Sequence, residues 1–174
     1  RMKDKIYPSR YGKWNNRIGL FNNENSQKSY DYIFIGTPPD THADLLIKAI
    51  KQKPKAILVE KPLCRPNLQE IKSLITIKTK SIAIFTGYDH VVGPSVKKVT
   101  DLLKEKIIGK IQTIDVEFRE NWTGIFKAHP WLNGPSDSYL GYWKRGGGAS
   151  GEHSHALNLW QYLSRIAGGG EISE

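Results

Sequence analysis

The feature that most constrains the fold of this sequence is a regular alternation of short apolar runs with stretches of helical periodicity. The alternating segments, beginning and ending with an apolar run, are 32–35, 43–50, 56–59, 67–79 and 81–86. Continuous apolar strands joined by amphipathic helices are typical of a parallel sheet with right-handed crossovers and helices on both faces. The first half of the chain is therefore predicted to be α/β, a doubly wound parallel sheet or a piece of one.

The pattern changes near residue 88, where we expect a boundary between two parts, 1–88 and 89–174. A helix is predicted at 94–106. Residues 110–118 then alternate apolar and polar side chains with a period of two. A strand of that kind has one face in water and belongs in an antiparallel or mixed sheet, so the second part is predicted to be the start of an α+β unit.

Composition and charge exclude several classes of protein. The 174 residues are 39% hydrophobic and 25% charged, which is typical of a globular chain. The longest apolar stretches are far shorter than the ~20 residues that span a bilayer, and no signal peptide opens the sequence, so we expect a cytoplasmic protein without a membrane partner. The single cysteine, Cys64, cannot form an internal disulfide, which fits the reducing conditions of the cytoplasm. The sequence opens with a polar stretch and stops where a new strand is expected to begin. Both features predict that it is a piece of a longer protein.

The net charge of +9 lies in the first 80 residues. A solvated lysine-rich surface and attraction of an anionic cofactor both explain it. Because the sequence has no arginine-rich run and no nucleic-acid-binding motif, no nucleic acid partner is expected.

Three loops follow the apolar runs and are expected to meet at one edge of the sheet, the edge where open α/β sheets bind ligands. The loops are 36–42, 60–62 and 87–90. Glycine and proline directly after a strand bring backbone close to a ligand, and Lys61 adds a cation. Each loop alone is equally explained as a turn or a surface charge, but their coincidence on one edge favours a binding site.

A glycine-rich segment, 146–151, leads into a helix predicted at 151–166. On that helix Glu152, His155 and Asn158 would share one face. A carboxylate beside an imidazole tunes its pKa, which suits a general base, although a histidine satisfied at a helix start is an alternative.

Two further motifs in this segment are rejected. Gly146, Gly148 and Gly151 match GxGxxG, but no buried strand precedes them, as a dinucleotide fingerprint requires. Residues 152–155 contain Glu-His-Ser-His, but no further ligand follows at a recognisable spacing, with or without the lone cysteine. No metal is therefore expected.

Tryptophans are concentrated between the predicted strand and this helix. Flat aromatic faces cover sugar rings, and adjacent basic groups contact carboxylates or phosphates. The segment is interpreted as a substrate loop, with burial in the core as the alternative for its aromatic residues. The residues concerned include Trp131, Trp143, Lys144 and Arg145.

Taken together, these segments resemble the family of glucose-fructose oxidoreductase, inositol dehydrogenase and MocA-like (Gfo/Idh/MocA) oxidoreductases. The matching segments are, in order, 36–42, 60–62, 87–88, 108–111 and 146–155. The resemblance implies an NAD(P)-dependent enzyme acting on a sugar, cyclitol or similar hydroxyl compound, homo-oligomeric when complete. Residues 1–88 would be a Rossmann domain without its first βαβ unit, and residues 89–174 part of a C-terminal substrate and dimerisation domain.

The same resemblance implies roles for individual residues. NAD or NADP would contact Gly36, Thr37, Pro38, His42, Glu60, Lys61 and Pro62. His155 would accept the substrate's hydroxyl proton, Lys61 would stabilise the developing alkoxide, and Glu152 would orient the pair. The Lys61–Pro62 peptide is expected to be cis. Substrate contacts are expected from Tyr88, Trp131, Trp143, Lys144, Arg145 and Asn158.

The sequence departs from the family pattern in three respects. Glu152 stands three residues before His155, where members commonly have Asp four residues before. Asp89 and His90 stand where members often have Asn-Arg, and the glycine fingerprint of the first strand-turn-helix is absent from the sequence. A non-catalytic sugar- or nucleotide-binding relative is the alternative function, but the presence of both Lys61 and His155 favours catalysis.

Overall fold

Three parallel strands form the sheet of this protein. The computed structural model describes residues 8, 12–21, 29–77, 79 and 81–170. Within them the sheet has the strand order β1-β2-β3, with the strands at Tyr32–Ile35, Ala56–Val59 and Ala83–Thr86. Ile35 of β1 pairs with Val59 of β2, which pairs with Thr86 of β3, so the three strands end level with one another. The predicted parallel α/β sheet is confirmed.

The described residues contain six α-helices. These are α1 at His42–Lys51, α2 at Leu68–Ile75, α3 at Pro94–Lys104, α4 at Thr123–Ala128, α5 at Gly148–Glu152 and α6 at Ser154–Ile166. The start of α2 is fixed by Asn67, whose side-chain oxygen accepts from the backbone N–H groups of Gln69 at 2.9 Å and Glu70 at 3.4 Å, as N-cap residues do. None of the described helices combines the length and apolar character that crossing a bilayer requires.

The core lies between the sheet and a single layer of helices. Ile57 and Val59 are fully buried and pack with Leu46 of α1, and Leu74 of α2 joins the same cluster. Because β1, β2 and β3 follow one another in one direction, right-handed crossovers put α1 and α2 on the same face of the sheet. The expectation of helices on both faces is therefore not met by the described residues.

The opposite face of the sheet is largely exposed. Side chains alternate between the two faces of a strand, so Phe34 and Phe85 point away from α1 and α2. Phe34 is 74% exposed and Phe85 58% exposed. Leu58 and Phe85 on this face also line a cavity at the ends of the strands.

Residues 110–120 are not a strand in the structure, so the strand predicted at 110–118 is wrong. A period of two also fits an extended segment, and a strand needs a neighbour with which to exchange backbone hydrogen bonds. No other described segment pairs with these residues. The mixed or antiparallel sheet, and with it the division into domains at residue 88, stays a prediction.

The predicted helices of the second part are present, with one change. Helix α3 begins at Pro94 as predicted, whereas the helix predicted at 151–166 is broken at His153 into α5 and α6. A 3₁₀ turn at Asp89–Val92 follows β3 and contacts both α3 and α6. Through this contact, the turn after β3 packs against α6, the helix that carries His155.

Candidate active site

The site is built on the carboxyl edge of the sheet. The backbone hydrogen bonding of the sheet continues one residue past β2 and β3. The Glu60 N–H donates to the Ile35 carbonyl at 2.8 Å, and the Gly87 N–H donates to the Val59 carbonyl at 2.7 Å. The three loops predicted to meet at one edge therefore do so, because hydrogen bonds hold their first residues in register.

His42 fastens the first two loops together. Its ring is fully buried, with Nδ1 2.8 Å from the Pro62 carbonyl and Nε2 2.7 Å from the Thr37 carbonyl. The ring therefore holds the two loops in position, and the expected cofactor contact of His42 stays a prediction. The first loop is further closed by a 2.6 Å hydrogen bond between the hydroxyls of Thr37 and Thr41.

Lys61 joins the sheet edge to the second part of the chain. Its Nζ donates to the backbone carbonyl of Glu152 at 2.9 Å and lies 3.2 Å from Oε1 of the same residue. Both side chains are nearly buried, at 12% and 14% exposure. The Lys61–Pro62 peptide is cis, as the resemblance implies. Glu152 therefore contacts Lys61 directly, and its predicted role of orienting both Lys61 and His155 stays a prediction.

The Lys61 contact also accounts for the break between α5 and α6. In a continuous helix the Glu152 carbonyl would accept from the N–H of Ala156. Here that carbonyl accepts from Lys61, and the Ala156 N–H donates instead to the His153 carbonyl at 3.0 Å. Glu152 ends α5, whereas His155 and Asn158 lie on α6, so the three residues do not belong to one continuous helix as expected.

The glycine-rich segment is required by close packing around this junction. Gly146 has a φ of +91°, and a Cβ there would lie 2.5 Å from the Cβ of Pro39. A Cβ on Gly151 would lie 2.0 Å from the Gly146 carbonyl oxygen. These glycines let α5 approach the loop after β1 closely enough for Glu152 to reach Lys61.

His155 is surrounded by rings. The ring centroid of His90 lies 4.3 Å from that of His155, Tyr88 makes an edge contact at 5.8 Å, and Phe118 stacks at 5.8 Å. The His155 side chain is 12% exposed, and its Nδ1 is buried without a hydrogen-bond partner, 3.7 Å from Oδ1 of Asp89.

The electrostatics of this position favour the neutral imidazole. Burial lowers the pKa of His155 from its ordinary value, and the electrostatic effects of Lys61 and His90 act in the same direction. Asp89 and Glu152 oppose this shift with smaller effects. A neutral imidazole carries a free lone pair and is able to accept a proton.

A cavity of about 600 Å³ brings the predicted catalytic residues together at the sheet edge. Lys61 and His155 both line it, although 94 positions separate them in the sequence. Glu60 and Tyr88, predicted to contact cofactor and substrate, also line it. Its size is in the ordinary range for small-molecule sites.

The other predicted substrate residues do not line this cavity. Arg145 donates from Nε to Oδ2 of Asp40 at 2.6 Å and so ties the aromatic segment to the loop after β1. Trp143 lines a separate cavity of about 250 Å³, and the Nζ of Lys144 lies 5.7 Å from its ring centroid. Trp131 is 47% exposed and contacts the ring of His129.

Asn158 lies in the first half of α6. Its side-chain oxygen is buried without a hydrogen-bond partner. It does not line the cavity of Lys61 and His155.

Sequence reasoning missed three residues of the site. Phe118 stacks on His155, and Asp89 and His90 lie beside it. Phe118 was assigned to a strand, and nothing in its spacing points to a residue 37 positions away. Asp89 and His90 carried a signal, since they occupy a strand-end loop that the sequence had already singled out.

Comparisons with known proteins bear on the family and the fold. Residues 14–88 match the model of the Gfo/Idh/MocA family, described as an oxidoreductase family with an NAD-binding Rossmann fold. The matched segment contains the whole sheet together with α1 and α2. No curated protein sequence matches the chain significantly.

Several solved structures share the fold. A levoglucosan dehydrogenase in complex with NADH and levoglucosan has a TM-score of 0.62 at 24% identity, covering 76% of this chain and 34% of its own. A protein from Sinorhizobium meliloti 1021 assigned as a myo-inositol dehydrogenase has a TM-score of 0.61 at 22% identity, covering 81% and 37%. The WlbA (WbpB) dehydrogenase from Thermus thermophilus, in complex with NAD and UDP-GlcNAcA, has a TM-score of 0.51 at 22% identity, covering 78% and 40%.

The chain spans between a third and two fifths of the length of these three structures. At identities below 25% the likeness is one of fold, and it extends beyond the segment that the family model matches. Over residues 14–88, less than half of the chain, the sequence is similar to the Gfo/Idh/MocA oxidoreductase family.

Proposed function

We propose that the protein carrying this chain is an NAD(P)-dependent oxidoreductase that transfers hydride between a nicotinamide cofactor and a CH–OH group of a sugar, cyclitol or related compound. The observation that carries the proposal is the meeting of Lys61 and His155 in one cavity at the carboxyl edge of the sheet. The family description, NAD-binding, supports the cofactor class. The bound molecules of two structural relatives, levoglucosan and UDP-GlcNAcA, support a sugar-like substrate.

The loops at the sheet edge fit a dinucleotide cofactor. Around Gly36 an added Cβ would meet no atom within 4 Å, so the backbone of this loop is open to a ligand. Thr37 and Pro38 continue the loop, and Glu60 and Pro62 flank Lys61 at the neighbouring strand end. We assign cofactor contacts to these residues. When bound, the nicotinamide supplies the hydride acceptor.

His155 is proposed to be the general base. As the carbon-bound hydrogen leaves the substrate as hydride, the hydroxyl proton passes to a ring nitrogen of His155, and the product is a carbonyl compound. Burial keeps the imidazole neutral by lowering its pKa, so its lone pair is available near neutral pH.

Lys61 is proposed to stabilise the negative charge that develops on the substrate oxygen. A cation fixed in a poorly solvated cavity is more effective than one in water, because little reorganisation is needed during the reaction. Glu152 holds Lys61 through its carboxylate and its backbone carbonyl. Glu152 is therefore a positioning residue.

The function is tested by an activity screen with the complete protein that contains this chain. Sugars, sugar acids, cyclitols and nucleotide sugars are offered with NAD⁺ and with NADP⁺, and formation of reduced nicotinamide is followed by absorbance. NADH and NADPH binding is measured separately by calorimetry. We expect cofactor binding and turnover of at least one carbohydrate class.

Two results would overturn the proposal. Turnover confined to non-carbohydrate alcohols would contradict the substrate class. Carbohydrate binding without reduction of either cofactor would favour the non-catalytic relative.

A further inference from the structure

We propose that Asp89, His90 and His155 form a binding site for a divalent transition metal at the rim of the cavity. One potential ligand atom from each residue lies within 4.8 Å of the other two. Oδ1 of Asp89 is 3.7 Å from Nδ1 of His155 and 3.8 Å from Nε2 of His90. Two imidazoles and one carboxylate converge on one point, although 65 residues separate His90 from His155 in the sequence.

The cluster has unused electron pairs. Nδ1 of His155 is buried and has no hydrogen-bond partner, and the nearest carboxylate oxygen, at 3.7 Å, is beyond hydrogen-bonding distance. Leaving a buried polar atom unpaired is costly, and native proteins rarely do so without a bound water or ion. A cation between the three residues would satisfy this nitrogen and the facing carboxylate together.

The spacing of the ligand atoms fits a small metal ion. Ligand bonds of about 2.0–2.2 Å to tetrahedral zinc place two ligand atoms about 3.4 Å apart. The two separations from Oδ1 of Asp89, 3.7 and 3.8 Å, need to close by a few tenths of an ångström, and the three ligand atoms together lie within 4.8 Å of one another. Asp89 is the side chain that can move, because it is 81% exposed. His155 is the fixed member, held by the surrounding rings.

The ligand types select the class of metal. Imidazole nitrogens suit zinc, cobalt, nickel, copper and iron, whereas magnesium and calcium prefer an all-oxygen set. Three protein ligands leave a fourth tetrahedral position for water or a hydroxyl compound. Asp89 and His155 both line the cavity, so this position would border it.

The surrounding charges allow a cation here. Lys61 lines the same cavity as His155, and its charge is offset by the Glu152 carboxylate at 3.2 Å. Glu60 adds another carboxylate to the same cavity. The Asp89 carboxylate supplies a negative charge directly beside the divalent cation.

Metal binding and the proposed proton transfer use the same imidazole. A metal on Nδ1 takes that lone pair and makes the ring a poorer base. Provided that the proposed function holds, the metal-bound protein should be less active than the metal-free form, and a chelator should restore its activity. The binding site itself does not depend on that function.

The site is tested by titrating the chain with Co²⁺ and following the visible absorption of the bound ion, then displacing it with Zn²⁺. The variants Asp89→Asn and His90→Gln remove one ligand each at exposed positions, so they should fold. His129→Gln is the matched control, because His129 lies outside the cluster. Circular dichroism checks the fold of every variant.

We expect one Co²⁺ per chain, with affinity reduced at least about tenfold in each ligand variant and unchanged in the control. Absence of saturable binding to the parent chain would overturn the proposal. Equal binding by the parent and both ligand variants would also overturn it. A loss of Co²⁺ affinity in His129→Gln as large as in the ligand variants would do the same. None of these readouts uses turnover, so failure of the metal site is distinguishable from failure of the proposed function.

Discussion

The two sides of the cavity are held in place differently. On the sheet side, ladder hydrogen bonds and the buried ring of His42 fix the loops that carry Glu60 and Lys61. On the side of α5 and α6, the polar links to the sheet edge include the contacts of Lys61 with Glu152 and of Arg145 with Asp40. The fold of the sheet side should therefore survive changes that displace the helix side, and the catalytic geometry depends on a few cross-links.

The largest effect is expected on the sheet side. His42→Ala removes a fully buried ring, and the carbonyl of Thr37 or Pro62 that accepts from its N–H loses its hydrogen-bond partner. The free energy of unfolding should fall by about 3 kcal/mol, measured by urea denaturation. His90→Ala, at a position 47% exposed, is the comparison and should lower it by about 1 kcal/mol or less, because it removes only ring contacts with His155 and Phe118. Equal losses in the two variants would contradict a structural role for His42.

A smaller effect is expected from the main cross-link. Glu152→Gln keeps the backbone carbonyl that accepts from Lys61 but removes the charge at 3.2 Å. We expect the free energy of unfolding, measured by urea denaturation, to fall by about 1–2 kcal/mol. This is less than the effect of removing one partner of a buried pair completely. The comparison is Arg145→Ala, which removes the half-exposed pair with Asp40. It should lower the free energy of unfolding by less than about 1 kcal/mol. If Arg145→Ala were the more damaging change, the assignment of Lys61 and Glu152 as the main link would be wrong.

The smallest effect concerns Tyr139, on the helix side. Burial raises the pKa of Tyr139 to about 12, and the charges of Glu152 and Glu60 add to this effect. Since the folded pKa lies above the unfolded value, the unfolded chain loses its proton first, and stability should decrease as pH rises from about 10 towards 12. An ultraviolet titration should show one tyrosine ionising after the others, and Tyr139→Phe should abolish that late step. Its persistence in Tyr139→Phe would contradict the assignment.

The sheet side was predictable because its signals are local. Apolar runs and helical spacing fix β1, β2, α1 and α2 over a few residues each, and parallel strands must end at one edge. The buried role of His42 was not predictable in the same way, because its partner Pro62 belongs to another loop. The approach of Lys61 and His155 followed from the family resemblance, and spacing alone does not give it.

The helix side was predicted less well because its structure depends on distant contacts. The break at His153 arises where Lys61, 91 residues before Glu152, takes a helix carbonyl. The alternation at 110–118 has the period of a strand, but a strand forms only beside a partner. The cluster of Asp89, His90 and His155 has no sequence spacing that identifies it, since its members meet only after the chain folds.

The most direct test of the account replaces Lys61 and His155 one at a time in the complete protein and measures kcat and cofactor affinity, in buffer containing a chelator. Lys61→Ala and His155→Ala should each lower the rate by about 100-fold or more, with NADH or NADPH binding largely unchanged. Lys55→Ala is the matched control, since Lys55 is 72% exposed and pairs with Asp31 away from the cavity. Undiminished turnover by His155→Ala, in a variant that binds cofactor normally, would contradict the central claim.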